Sequence, residues 1–139
     1  MSLSVPILVV EDEPLISMLA VDALTDGGFE VLVASDGSEA LNFLRERDVR
    51  GLVTDIRLGT QPDGWQIARE ARQQSPDMAV VYCTGDSAYE WPAQGVPNSM
   101  VIQKPYAAAQ LVNAMTTLLA QADAARATSP PSERDQSGE

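Results

Sequence analysis

Five short aliphatic runs, at residues 5–10, 30–34, 51–55, 78–83 and 99–103, alternate with longer stretches whose apolar positions recur every three or four residues. Short runs of this composition predict strands buried on both faces, and the longer recurrence predicts helices. In the first helical stretch Ile16, Leu19, Ala20, Ala23 and Leu24 share one face, and Gly27-Gly28 stops it. The second follows Ser35-Asp36 and carries Ala40, Leu41 and Leu44. The third follows Asp63-Gly64, carries Ile67, Ala68 and Ala71, and ends before Ser75-Pro76. Between residues 86 and 96, Trp91-Pro92 and Gly95 allow only a short helix. The last helix follows Pro105 with Ala108, Leu111, Val112, Met115, Leu118, Leu119 and Ala122, the clearest amphipathic stripe in the chain.

Strand and helix alternating at this spacing imply right-handed crossovers and a parallel sheet covered on both faces. The expected architecture is a three-layer α/β/α sandwich on a five-stranded parallel sheet. Residues 1–4 are expected to be an N-terminal extension, residues 5–122 the domain, and residues 123–139 a disordered tail. From Thr128 onward that tail is rich in Ser, Pro and charge.

Composition narrows the function. The chain has 139 residues, enough for one core, and a net charge of -11 from nine basic and twenty acidic residues. That balance argues against nucleic acid and anionic membranes as partners. It suits a divalent cation or a basic partner, although solubility alone accounts for most of it. The absence of histidine excludes a Ser-His-Asp triad, an internal phosphohistidine relay and a His-based metal site. The single cysteine, Cys83, lies in an apolar run and reads as a buried structural thiol. With no stretch of membrane-spanning length and no visible signal peptide, the expected compartment is the cytoplasm.

The chemistry gathers at the ends of the apolar runs. The first run ends in Glu11-Asp12-Glu13, the third in Asp55, the fourth in Thr84-Gly85 and the fifth in Lys104-Pro105. Helix capping explains one or two of these acids, and an Asx-turn or cap is the plain reading of Asp55. A Thr closing a strand needs no function either. Capping does not explain why two strands end in acids. In an open parallel sheet ligands bind outside the carboxyl ends of the strands. If the first and third strands are neighbours, Glu11, Asp12 and Asp55 converge, and such close like charges need a counter-ion. Mg²⁺ suits an all-oxygen, incomplete cage completed by a phosphate. Lys104, the only lysine, supplies a compact positive charge at the same level. Together these residues fit phosphoryl transfer, with Asp55 as nucleophile and Thr84 and Lys104 taking up the charge of the attached group.

With these motifs the chain resembles the receiver domain of two-component response regulators, over residues 5–122. The carrying motifs are Val10-Glu11-Asp12-Glu13, Thr54-Asp55, Asp63-Gly64, Thr84-Gly85 and Lys104-Pro105. The resemblance implies a flavodoxin-like (βα)5 fold. It implies Mg²⁺ held by Glu11, Asp12, Asp55 and the backbone carbonyl of Arg57. It also implies that Asp55 takes phosphate from a histidine kinase or histidine phosphotransfer protein, with Thr84 and Lys104 as the switch. Output then passes through contact with a downstream protein, by a monomer or a phosphorylation-dependent dimer.

Three features depart from the common pattern, one of them a fourth helix region broken by prolines. The family places an aromatic switch three positions before the lysine, where this chain has Val101. The loop from Asp55 to Asp63 is one residue longer than the commonest form. An atypical receiver subgroup shares Cys/Ala-Thr-Gly after the fourth strand and an aromatic directly after Lys-Pro, here Tyr106. Tyr106, with Trp91, is therefore the expected reporter. Arg57 and Asp86, two positions beyond Asp55 and Thr84, are expected either to tune phosphate lifetime at the pocket mouth or to form a surface ion pair. Two other readings compete. A small aspartyl-phosphate phosphohydrolase usually has a second acid where Arg57 stands. A pseudo-receiver binding module usually loses an acid or the lysine, and this chain keeps them all.

Overall fold

The computed structural model describes residues 5–128. Five strands, β1 (Pro6–Val10), β2 (Glu30–Ala34), β3 (Gly51–Asp55), β4 (Ala79–Thr84) and β5 (Met100–Gln103), form one parallel sheet in the order β2-β1-β3-β4-β5. The expected strands at 5–10 and 99–103 each begin one residue early, the expected 78–83 is shifted by one residue at both ends, and the other two match.

Alternation along each strand assigns its side chains to two layers. Leu8, Val10, Leu52, Val80 and Tyr82 face α2 (Gly37–Glu46) and α3 (Gly64–Gln74), meeting Ala40, Leu44, Trp65, Ile67, Ala68 and Ala71. Ile7, Val9, Val53, Val81 and Cys83 face α1 (Pro14–Asp26) and α5 (Ala108–Thr128), meeting Ala20, Leu24, Leu111, Met115 and Leu118. A strand buried on both faces has no polar side to show, so these runs carry no alternation in sequence. The result is the expected α/β/α sandwich. Among the described residues no helix is long and apolar enough to cross a membrane.

Local chemistry sets the helix starts. Asp36 caps α2 by accepting from the Glu39 amide, and Asp63 forms a capping box with Gln66 at α3. Pro14 occupies the first turn of α1, where its missing N–H costs nothing. Between β4 and β5 there is only a 3₁₀ turn, Ala88–Glu90, and the four-residue α4, Trp91–Gln94. Pro97 and an extended Gly95 end that segment early, as expected.

Two expectations are corrected. The tail expected from residue 123 does not begin there, because α5 continues to Thr128. Asp123 pairs with Arg50 at 3.4 Å, and Arg126 pairs with Asp77 at 3.3 Å, so polar contacts extend the helix where the apolar stripe ends. The remaining tail residues, 129–139, and the expected extension, 1–4, lie outside the described residues. Leu19, read as part of the buried face of α1, is 67 % exposed, together with Leu15 and Met18. Small Ser17, Ala20 and Ala23 bring α1 close to its neighbours instead, and only Leu24 is fully buried at full size.

The order β2-β1-β3 makes the chain leave β1 and β3 in opposite directions across the sheet. Such a switch point opens a crevice at the carboxyl ends of these two strands. Gly64 fixes the end of β3 against α3. Its amide donates to the Ile56 carbonyl at 2.9 Å, and a Cβ there would collide with the Asp55 carbonyl and lie 2.8 Å from the Ile56 Cα. Backbone cannot yield as a side chain does. Gly64→Ala is therefore expected to lower stability by about 1–3 kcal/mol, read as an earlier urea midpoint, and an unchanged midpoint would contradict this packing account.

Candidate functional site

Val10 of β1 pairs with Thr54 of β3, so the acids that follow each strand emerge side by side. One carboxylate oxygen each from Glu11, Asp12 and Asp55 lie within 4.8 Å of one another. Glu11 is buried, Asp12 is exposed and Asp55 is half-buried. This grading follows from position: Glu11 is the first residue past β1 and still packs between strands, with its amide bonded to the Ala34 carbonyl at 3.1 Å. Asp12 has already turned outward.

The counter-charge comes from β5, across the whole width of β3 and β4. Lys104 Nζ donates to Glu11 Oε1 at 2.8 Å and to Asp55 Oδ2 at 3.1 Å. Its side chain is 16 % exposed, against 5 % for Glu11 and 11 % for Asp55, so solvent screens this triad little. The Lys104 amide is anchored on the Thr84 carbonyl at 2.8 Å. Burial works to lower the Lys104 pKa, but the Glu11 hydrogen bond and the two carboxylate charges outweigh it and hold the ammonium above its ordinary value. Burial raises the Glu11 carboxyl, Lys104 opposes this, and the nearby Asp55 charge adds to the rise. A buried acid beside a second acid thus depends on one lysine.

Thr84, which ends β4, is buried at 1 % exposure. Its hydroxyl accepts from the amides of Asp86 at 3.2 Å and Ser87 at 2.9 Å. Nothing lies within 4 Å of where a Gly85 Cβ would be, which leaves the approach open. Arg57 and Asp86 do form an ion pair, Nε to Oδ1 at 3.3 Å, with both side chains more than 60 % exposed. Arg57 also reaches Glu90 at 3.7 Å. The Ser87 hydroxyl, and then Arg57, hold the Asp86 carboxyl below the usual carboxylate range.

The expected reporters fall on opposite faces of the sheet. Val101 and Trp91 pack with the α2–α3 layer, where the Trp91 indole donates to Ser99 Oγ at 3.0 Å. Tyr106 packs with the α1–α5 layer. Its hydroxyl lies against the Cys83 thiol, and burial raises the pKa of both groups, pushing Cys83 up to about 12. Cys83 is thus the inert buried thiol expected. Tyr106 and Trp91 are not brought together, so any joint report passes through the sheet.

Three residues of the site's surroundings escaped the sequence reading. Ser87 is fully buried and holds both Arg57 and Asp86. Its only sequence signal is a hydroxyl three positions past Thr84, the spacing of a local turn contact. Glu90 adds the second carboxylate on Arg57, and nothing in the sequence marked it. Tyr82 is fully buried, sits opposite Val101 in the sheet register and accepts the Val96 amide at 3.0 Å. Its ring lies 4.7 Å from that of Trp65. An aromatic in an apolar run looks like any core residue, so its link to position 101 appears only once the strands are paired.

The chain matches a family model described as the response regulator receiver domain over residues 7–116. It is 31% identical over 115 residues to the response regulator receiver protein CpdR of Brucella abortus (strain 2308), covering 81% of this chain and 95% of that protein. A putative NtrX-like response regulator of Rickettsia conorii is 32% identical over 113 residues, 79% of this chain, but the match spans only 24% of that longer protein. Among solved structures, a response regulator receiver protein from Sinorhizobium medicae WSM419 superposes with a TM-score of 0.84 at 42% identity, covering 86% of this chain and 97% of that one.

Lys104 offers the sharpest test of the electrostatics. Lys104→Met leaves Glu11 and Asp55 facing each other, and roughly 2–4 kcal/mol of stability at neutral pH is expected to be lost. The deficit shrinks on acidification, as the Glu11 carboxyl, already raised by burial, takes up a proton. In the wild type the raised Lys104 pKa gives the opposite limb: its stabilisation is complete below the ordinary lysine value and disappears as pH rises through the raised one. Urea titrations of both proteins across pH read this directly, and equal midpoints at neutral pH would refute it.

Proposed function

Because the chain belongs to the response regulator receiver domain family, we propose that it is a phosphorylation-dependent signalling switch whose acceptor is Asp55. The observation that carries the reading is the meeting of Glu11, Asp12 and Asp55 at the switch point with Lys104 laid across two of them. An Asp55 carboxylate oxygen forms the new P–O bond. The donor's bond to phosphorus breaks, and the donor leaves with its electron pair. The donor is a phosphohistidine on a histidine kinase or histidine phosphotransfer protein, since this chain has no histidine of its own.

The donor set suits Mg²⁺. Three carboxylates within reach of one point offer hard oxygen ligands without nitrogen or sulfur. Glu11, Asp12, Asp55 and the Arg57 backbone carbonyl would hold it, and when bound it supplies positive charge to the phosphoryl oxygens. Lys104 carries positive charge to the same oxygens from the β5 side, and Thr84 donates its hydroxyl to them. Arg57 and Asp86 stand at the mouth and tune the lifetime of the acyl phosphate by limiting water.

Output is a protein contact, made in the cytoplasm by a monomer or a phosphorylation-dependent dimer. Tyr106 carries the signal on the α1–α5 face, while Val101 and Trp91 follow on the other. The receiver runs from residue 5 through the end of α5 at Thr128, with turnover limited to its own phosphate. The phosphohydrolase alternative would need an acid where Arg57 is engaged with Asp86 and Glu90.

Intact mass after incubation with acetyl phosphate is expected to show one phosphate adduct that needs Mg²⁺ and is absent in Asp55→Asn. Adduct formation by Asp55→Asn at the wild-type rate would overturn the assignment. Tyr106→Ala is expected to take up phosphate normally yet lose the phosphorylation-induced change in Trp fluorescence. An unchanged spectral response would remove Tyr106 from the output path.

A further inference from the structure

Thr84 has one hydroxyl proton, and in this structure it is directed at Asp86 across a long contact. Besides accepting two amides, Thr84 Oγ1 reaches Asp86 Oδ1 at 3.5 Å. A hydroxyl has a single donor and two acceptor sites, so Thr84 cannot serve Asp86 and a phosphoryl oxygen at once. What keeps Asp86 in place is therefore a matter of function. The Arg57–Asp86 ion pair alone is weak, because both partners are mostly exposed.

Ser87 differs from both in being fully buried. Its hydroxyl donates to Asp86 Oδ1 at 2.9 Å and accepts from Arg57 Nε at 2.8 Å, while its amide donates to Thr84. One buried side chain thus ties the loop that follows Asp55 to the turn that follows β4. Without this hydroxyl, Arg57 and Asp86 keep only a solvent-screened contact, and Thr84 loses its fixed acceptor.

We propose that Ser87 is a positioning residue that holds Asp86 and Arg57 against the β4 turn, so that Thr84 stays committed to that turn until a phosphoryl group on Asp55 displaces Asp86. The inference rests on Asp55 as the acceptor. It sets a threshold: the protein gives up some speed of phosphoryl capture in exchange for a defined resting state. Releasing Thr84 enlarges the population ready to bind the phosphoryl oxygens.

The rate of adduct formation from acetyl phosphate in saturating Mg²⁺ tests this in the full chain. Ser87→Ala is expected to react about 3–10 times faster than wild type, the scale of one net hydrogen bond. Asp86→Ala, at an exposed position, is expected to accelerate similarly, and the double variant no further than either single one. A loss of packing at position 87 would not produce that shared ceiling. Amide hydrogen exchange at positions 86 and 87, measured without phosphodonor, is expected to quicken in Ser87→Ala. An adduct rate within twofold of wild type, or effects that multiply in the double variant, would overturn the proposal while the acceptor reading stands. If no variant forms an adduct but exchange still quickens, the acceptor reading fails and takes the threshold with it. Unchanged exchange would show that Ser87 does not hold the turn at all.

Discussion

One ammonium group makes the carboxyl end of this sheet possible. Glu11 and Asp55 are both largely removed from water, and Asp12 stands beside them. Two such carboxylates repel each other and have lost much of their hydration. Lys104 at 2.8 and 3.1 Å offsets both costs at once. Because the lysine comes from β5 and the acids from β1 and β3, the pairing also pins the two halves of the sheet together at the crevice. The same contact holds Asp55 by a hydrogen bond, while the space beside Gly85 stays open.

The scaffold around this group has few free parameters. Strand side chains divide between two apolar layers, and each strand ends where the apolar layers end. Polar residues are therefore pushed to the rim, and topology decides which rim residues meet. Parallel strands put all their carboxyl ends on one side, so β1, β3, β4 and β5 each contribute there: Glu11 and Asp12, Asp55, Thr84 and Lys104. On the proposed reading, a cation site and a phosphoryl site then share the same few ångströms. The residues proposed for output lie behind them on either face of the sheet, Tyr106 on one and Val101 with Trp91 on the other.

How much was legible follows from the range of each interaction. Asp55, Glu11 and Lys104 stood out because a charge that abruptly ends an apolar run is visible within five residues of sequence. The strands and helices were legible for the same reason. The end of α5 was not, since ion pairs with Arg50 and Asp77, far away in the chain, carry the helix past its apolar stripe. Leu19 was misplaced because helical spacing fixes which residues share a face and leaves open how much of that face is covered. Ser87 is the strongest case. Nothing about a serine in a polar turn says that it will be fully buried with an arginine from thirty residues earlier on its hydroxyl. The missing aromatic at 101 was legible, but not that Tyr82 would stand opposite it on the adjacent strand.

The most direct test of the central claim is to locate the phosphoryl group chemically. After brief exposure to a phosphodonor with Mg²⁺, borohydride reduction converts an aspartyl phosphate to homoserine, and peptide sequencing by tandem mass spectrometry finds the altered position. The account predicts homoserine at position 55 and at no other acid, including Glu11 and Asp12. Conversion at another carboxylate, or phosphate retained on a hydroxyl such as Thr84, would contradict it.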